Sequence, residues 1–222
     1  MKIKEILTEL VGIKNKIKNL PKNPMGSAAF PVGTEWHDTL YTNGFRPLGS
    51  GTFGTVWEHP KLSYVLKVFT SDDIAYSEWI TIARQHKNNP HMPQFISPRL
   101  MRVAPGVMAI RTERLTQIDQ KVNAMLPAID VLVETATIDK RDPSEIIATA
   151  LSGSGLSSRF TPLLDYCKVY PEFLPALDIV SKFARRPGFR PDIHDENIMM
   201  RGPVIVFTDP AFDRTALMNK QL

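Results

Sequence analysis

Cysteine is nearly absent. Cys167 stands alone among 222 residues, so no intrachain disulfide can form and nothing marks an oxidising compartment. Long apolar runs are missing too: no stretch of 18 or more apolar residues occurs, which excludes a hydrophobic membrane-spanning helix. The N-terminal lysines are not followed by an apolar segment with a small-residue cleavage site, so no secretory signal is read and a cytoplasmic location is expected. There is no Cys/His spacing of a zinc site, no nucleophilic triad and no internal repeat.

An excess of charge of one sign is lacking outside a single segment. Residues 1–22 hold six of the 27 lysines and arginines and two of the 23 acids, leaving 21 of each for the rest of the chain. The net charge of +4 therefore belongs to the N-terminus, and a general nucleic-acid-binding role is not expected. That segment reads as an amphipathic helix over 2–20. Ile3, Ile6, Leu7, Leu10, Val11, Ile17 and Leu20 share a face, interrupted by Lys14, and Pro21 and Pro24 end it.

What is present is an α+β pattern. Residues 21–40, with three prolines and two glycines, read as a linker. From Phe45 to Phe69 the order is strand, Gly-rich turn, strand, His59-Pro60 turn, strand. A helix is expected over 71–87, then strands near 99–103 and 107–113 around an Ala104-Pro105-Gly106 turn. Helices are expected near 116–136, 143–151 and 172–185, with a flexible Ser/Gly loop at 152–158. An apolar hairpin centred on Gly202-Pro203 comes near the end. The division this implies is a basic helix at 1–24, a β-rich half with one helix at 25–114 and a helical half at 115–222.

Four groups of residues carry chemistry. Gly49-Ser50-Gly51-Thr52-Phe53-Gly54, with Val56 just beyond, puts three glycines where a strand turns back, so backbone can approach phosphates closely. It leads into another strand, unlike a dinucleotide-binding fingerprint, and lacks the Gly-Lys-Ser/Thr ending of a P-loop. Lys67 lies inside the apolar strand Val65-Leu-Lys-Val-Phe69 and needs an anionic partner if it faces inward. Glu78, on the 71–87 helix, is the candidate to hold it. Glu113 and Leu115 mark where the β-half gives way to helices, a place where backbone groups can bond a purine base.

The sharpest group is Asp192, Asn197 and Asp209. Asp192 precedes Asn197 by five residues, and the hairpin returns to Asp209. Mg²⁺ takes hard oxygen ligands and keeps waters and phosphates, so Asn197 and Asp209 suffice as its protein ligands. Asp192 is then left to orient and deprotonate a hydroxyl, the division of labour of phosphoryl transfer. His194 can donate to phosphate or serve the loop structurally.

Together these residues resemble the eukaryotic-type protein kinase set in order and role. A closer similarity is to the early protein kinases of T7-like bacteriophages, through Trp57-Glu-His-Pro60, Val65-Leu-Lys-Val68, Asp192-Ile-His-Asp-Glu-Asn-Ile-Met199 and Thr208-Asp-Pro210. The resemblance spans about residues 40–212. It implies a minimal bilobal kinase-like fold, with a β-rich N-lobe, a truncated helical C-lobe and a catalytic hairpin. It also implies ATP and Mg²⁺ as cofactors and host proteins as serine/threonine substrates. Ser50 and Thr52 become candidate self-modification sites. The chain departs from ordinary protein kinases in three places. Arg190-Pro191 stands where His-Arg is usual, Pro210-Ala211 replaces Phe-Gly, and no Ala-Pro-Glu motif follows. Asp192-x-His194 is also the pattern of small-molecule phosphotransferases. A non-catalytic binder acting through the basic helix is the third reading.

Overall fold

The computed structural model describes residues 35–152 and 157–214. The expected helix at 2–20 and most of the expected linker lie outside them. Contacts divide the chain into two units: one of Met1–Asp73 with Phe95–Arg114, the other of Ile74–Gln94 with Leu115–Leu222. The elements follow an α+β order, with an antiparallel sheet first and helices after it, as expected for a minimal kinase-like fold.

The first unit opens with α1 (Glu35–Thr42), where the linker was expected to continue. The prolines and glycines of that stretch stop at Gly33, and nothing after them breaks a helix. Five strands follow, β1 (Arg46–Ser50), β2 (Gly54–Glu58), β3 (Tyr64–Thr70), β4 (Met101–Ala104) and β5 (Val107–Glu113), in the order β1-β2-β3-β5-β4. All neighbours are antiparallel. One face of the sheet packs on α1: Trp57, Leu66, Val68, Met101 and Ala109 bury themselves with Leu40 and Phe45. Each fully buried side chain of this size contributes about 1.5–3 kcal/mol.

The second unit takes in α2 (Ile74–Gln85), which the sequence reading grouped with the strands. The reason is its buried face. Trp79 packs on Phe183 with ring centroids 5.3 Å apart, and its Nε1 donates to the Phe207 carbonyl at 3.1 Å. A two-residue strand β6 (Thr116–Gln117) stands where a helix was expected to begin. The helix α3 (Gln120–Asp139) starts later, because the Asp119 carboxylate caps it by accepting from Val122 N–H at 2.8 Å. Then come α4 (Pro143–Ser152), α5 (Ser157–Val169) and α6 (Phe173–Ala184). The helix α5 begins inside the expected Ser/Gly loop.

The hairpin forms as expected, from β8 (Ile198–Arg201) and β9 (Val204–Phe207). Gly202 takes φ +58° in its two-residue turn, a conformation that side-chain-bearing residues rarely adopt. Ile198, Ile205, Val206 and Phe207 are fully buried. A second antiparallel ribbon, not expected from sequence, pairs β7 (Phe189–Pro191) with β10 (Ala211–Asp213). Buried His91 ties the preceding loop to the hairpin, with Nδ1 2.7 Å from the Ile205 carbonyl.

Candidate functional site

In the first unit, the Gly-rich segment forms the β1–β2 turn. Gly51 N–H donates to the Gly54 carbonyl at 2.8 Å, and Thr70 N–H donates to the Phe53 carbonyl at 2.9 Å. The three glycines have different reasons to be glycine. A Cβ on Gly54 would lie 2.7 Å from the Val68 carbonyl oxygen and 3.0 Å from Phe69 Cβ, so packing on β3 requires its absence. A Cβ on Gly49 or Gly51 would meet nothing within 4 Å. Neither is among the glycines of positive φ. The fold makes no demand at these two positions. Ser50 and Thr52, beside them, are exposed.

Lys67 is half-buried in the middle of β3, between Val56 of β2 and Ile110 of β5. Cross-strand partners share a face, so these three stand in a row on the face opposite the α1 core. Glu113 ends β5 opposite Tyr64. Leu115, half-buried, begins the second unit after Arg114. Arg114 itself is committed to the β2–β3 turn, through Glu58 at 3.0 Å and the His59 carbonyl at 3.1 Å. Within the second unit, the Glu78 carboxylate pairs with Arg186.

The second unit gathers Asp192, His194, Asn197 and Asp209. The 192–197 loop closes on itself, with Asn197 and Ile198 N–H both donating to the His194 carbonyl at 3.1 Å. The Asn197 carbonyl then receives three donors from the far end of the hairpin. They are Thr208 N–H at 2.9 Å, Thr208 Oγ1 at 2.8 Å and Asp209 N–H at 3.3 Å. The backbone thus clamps Asp209 against Asn197. Thr208 carried no role in the sequence reading; its hydroxyl, next to a carboxylate at a hairpin end, is the signal that could have found it.

The Asn197 side chain works through its nitrogen. Nδ2 donates to Asp192 Oδ2 at 2.8 Å and to the Asp192 carbonyl at 3.1 Å, and lies 2.8 Å from His194 Nε2. That leaves its carbonyl oxygen as the ligand atom. His194 Nε2 is 3.4 Å from Asp192 Oδ1, and Nδ1 accepts from Glu196 N–H at 3.2 Å. Both carboxylate oxygens of Asp192 are therefore oriented. Burial pushes the Asp192 carboxyl above its usual range, and the nearby Asp209 charge adds to this, while His194 and the Asn197 amide act in the opposite sense. Two neighbouring carboxylates beside an amide oxygen fit a hard divalent cation. Among the described residues no cluster of three or more His, Cys, Asp or Glu side chains is arranged for a metal, so any ion here rests on a carboxylate, an amide and non-protein oxygens.

No family model matches the chain, and no curated protein does. Among solved structures, one titled as the streptomycin–ATP–APH(2″)-IIa ternary complex is similar with a TM-score of 0.32 and 15% identity, covering 84% of this chain and 74% of that one. A likeness this low assigns neither activity nor substrate. Among the described residues no helix is long and apolar enough to cross a membrane.

Proposed function

We propose that the protein transfers the γ-phosphoryl group of ATP to a serine or threonine hydroxyl of another protein, the host-protein substrates of the resemblance being part of this proposal. The observation that carries it is the single loop closure binding Asp192, Asn197 and Asp209, with Asn197 Nδ2 2.8 Å from Asp192 Oδ2 and Asp209 N–H bonded to the Asn197 carbonyl. Asp192 holds the acceptor hydroxyl and takes its proton as the new oxygen–phosphorus bond forms and ADP leaves. His194 and Asn197 keep its carboxylate in one orientation. Asn197 and Asp209 are the residues to hold Mg²⁺, which when bound neutralises charge on the phosphate oxygens. Gly49 and Gly51, where a Cβ would meet nothing, keep side chains off the turn so that phosphates can approach its backbone, and Gly54 seats the turn on β3. Val56 and Lys67 serve the nucleotide; Glu78, the candidate partner for Lys67 by sequence, carries the Arg186 pair in the second unit. Glu113 and Leu115 frame the base.

The Asp192-x-His194 pattern, with the two side chains 3.4 Å apart, favours one second reading: a small-molecule alcohol as acceptor. Purified protein given γ-labelled ATP and either a bacterial lysate or a panel of small alcohols and aminoglycosides separates the two. Labelled protein bands that vanish with Asp192→Asn support the first. Label confined to small molecules replaces it with the second. Equal labelling by wild type and Asp192→Asn overturns both.

A further inference from the structure

The β7–β10 ribbon carries a basic strip that the proposed chemistry does not use. Its rungs run in register: Arg214 N–H donates to the Gly188 carbonyl at 2.9 Å, Phe212 faces Arg190, and Asp192 N–H donates to the Pro210 carbonyl at 2.9 Å. Side chains alternate along a strand and cross-strand partners share a face. One face therefore buries Phe189, Ala211 and Asp213. The other carries, rung by rung, Arg214, then Arg190 with Phe212, then Asp192. Arg190 and Arg214 are exposed and Phe212 is half-exposed.

Neighbouring arginines have structural duties. Arg185 bonds the carbonyls of Ala136 at 3.1 Å and Arg141 at 2.6 Å, and Arg186 pairs with Glu78. Among the described residues Arg190 gives only Nη1, to its neighbour's Phe189 carbonyl at 2.9 Å. For Arg214 no side-chain hydrogen bond or ion pair occurs among the described residues. Asp213, the nearest acid in sequence, is buried on the opposite face. Two planar, always-charged forks flanking an aromatic ring suit carboxylate or phosphate recognition.

We propose that this strip reads an acidic residue on the acceptor protein, two to four positions from the hydroxyl placed at Asp192. The spacing follows from strand geometry: at about 3.3 Å per residue, Arg190 lies ~7 Å and the Arg214 rung ~13 Å from the Asp192 rung. An extended acceptor segment along the ribbon brings its own side chains to those distances. The inference rests on the protein-phosphorylation reading and names its substrate class: hydroxyl residues in acidic sequence. Exposed charges of this kind act on partner choice and encounter rate more than on fold stability.

The test uses the full chain, γ-labelled ATP and a peptide library with a central Ser or Thr and one flanking position at a time fixed as Asp, Glu, Lys or Arg. The readout is the ratio of labelling between acidic and basic flanks, which normalises for the amount of active enzyme. Wild type should favour acid at one of the positions two to four residues away by about tenfold. Arg190→Gln with Arg214→Gln should flatten that ratio, and Arg190→Glu with Arg214→Glu should invert it. A wild-type ratio near one, or one unchanged by charge reversal, overturns the strip and leaves phosphoryl transfer standing. Wild type that labels neither peptide nor protein, and turns over ATP no faster than Asp192→Asn, overturns the transfer reading and this inference together.

Discussion

The indole of Trp79 donates its Nε1 proton to the carbonyl oxygen of Phe207, 128 positions away in sequence, at 3.1 Å. Both side chains are fully buried. The bond fixes α2 to the end of β9, two residues before Asp209. Trp79→Phe keeps most of the apolar surface but strands the Phe207 carbonyl, which should cost about 1–3 kcal/mol of stability in chemical denaturation. If the clamp positions Asp209 as proposed, metal-dependent ATP affinity should fall in the same variant. Full affinity at temperatures where the variant is folded would separate Trp79 from the site.

The glycines of the β1–β2 turn should divide under alanine substitution. Gly54→Ala meets backbone at 2.7 Å and should destabilise by about 1–3 kcal/mol through forced strand displacement. Gly49→Ala and Gly51→Ala meet nothing and should leave thermal unfolding unchanged or slightly raised, while weakening ATP binding measured by fluorescent-nucleotide titration. Unimpaired nucleotide binding in both would remove the phosphate-covering role from the turn.

Asp192→Asn should lower phosphate transfer by about 10²–10⁴ if the carboxylate is the base. The wild-type carboxyl is pushed up by burial and by Asp209, so transfer should fall on the acid side at a pH above the ordinary carboxylate range. Stability carries the matching sign. A native pKa above the unfolded one means the folded state binds the proton more tightly, so ionising Asp192 destabilises the fold as pH rises through that window. Asp192→Asn should thus melt higher than wild type at pH 7 without metal or nucleotide, with the gain shrinking as pH falls through the raised native pKa and gone below the ordinary carboxylate value. A variant less stable at pH 7 would count against this.

His91 supplies the opposite slope. It is fully buried, its Nδ1 bonds the Ile205 carbonyl, and rings of Tyr166 and Phe173 lie 6.1 and 4.9 Å away. Burial lowers its pKa, so its neutral form contributes stability that is fully present above the unfolded histidine value of about 6.5 and is lost as pH falls towards the native one. His59, buried in the first unit, is lowered the same way. Melting temperature should drop between pH 7 and 5. His91→Phe, less stable at pH 7 by about 1–3 kcal/mol for the orphaned carbonyl, should show a shallower drop. An unaltered slope would place the acid sensitivity elsewhere.

Local signals made the strands and the hairpin legible. Alternation, Gly-rich turns and the Gly202-Pro203 corner place β1 to β5, β8 and β9 within a residue or two. The helix α5 stayed hidden because Ser-rich sequence opens it and Pro162 sits inside it, both of which read as breakers. The allegiance of α2 was illegible for another reason: it depends on Trp79 meeting Phe207 and Phe183, contacts that no window of sequence contains. The site divides likewise. Its acids and amide could be named from type and spacing. The β7–β10 ribbon, the Thr208 clamp and the bonds of Asn197 Nδ2 depend on tertiary closure.

Pro210 gives the Asn197–Asp192 bond a meaning beyond the site. The Asp192 rung of the ribbon lacks its return bond, because proline has no N–H to offer the Asp192 carbonyl, and Asn197 Nδ2 fills that vacancy at 3.1 Å. A side chain has taken over a duty that backbone ordinarily performs, so the two positions should not vary independently. Asn197→Asp, conservative for a metal ligand, would remove this surrogate donor and set a third carboxylate in the cluster. With a residue other than proline at 210 the ladder could close by itself, and the amide would be released for ligand contacts alone. In a family of such chains, the identity of residue 210 should therefore forecast which replacements position 197 tolerates.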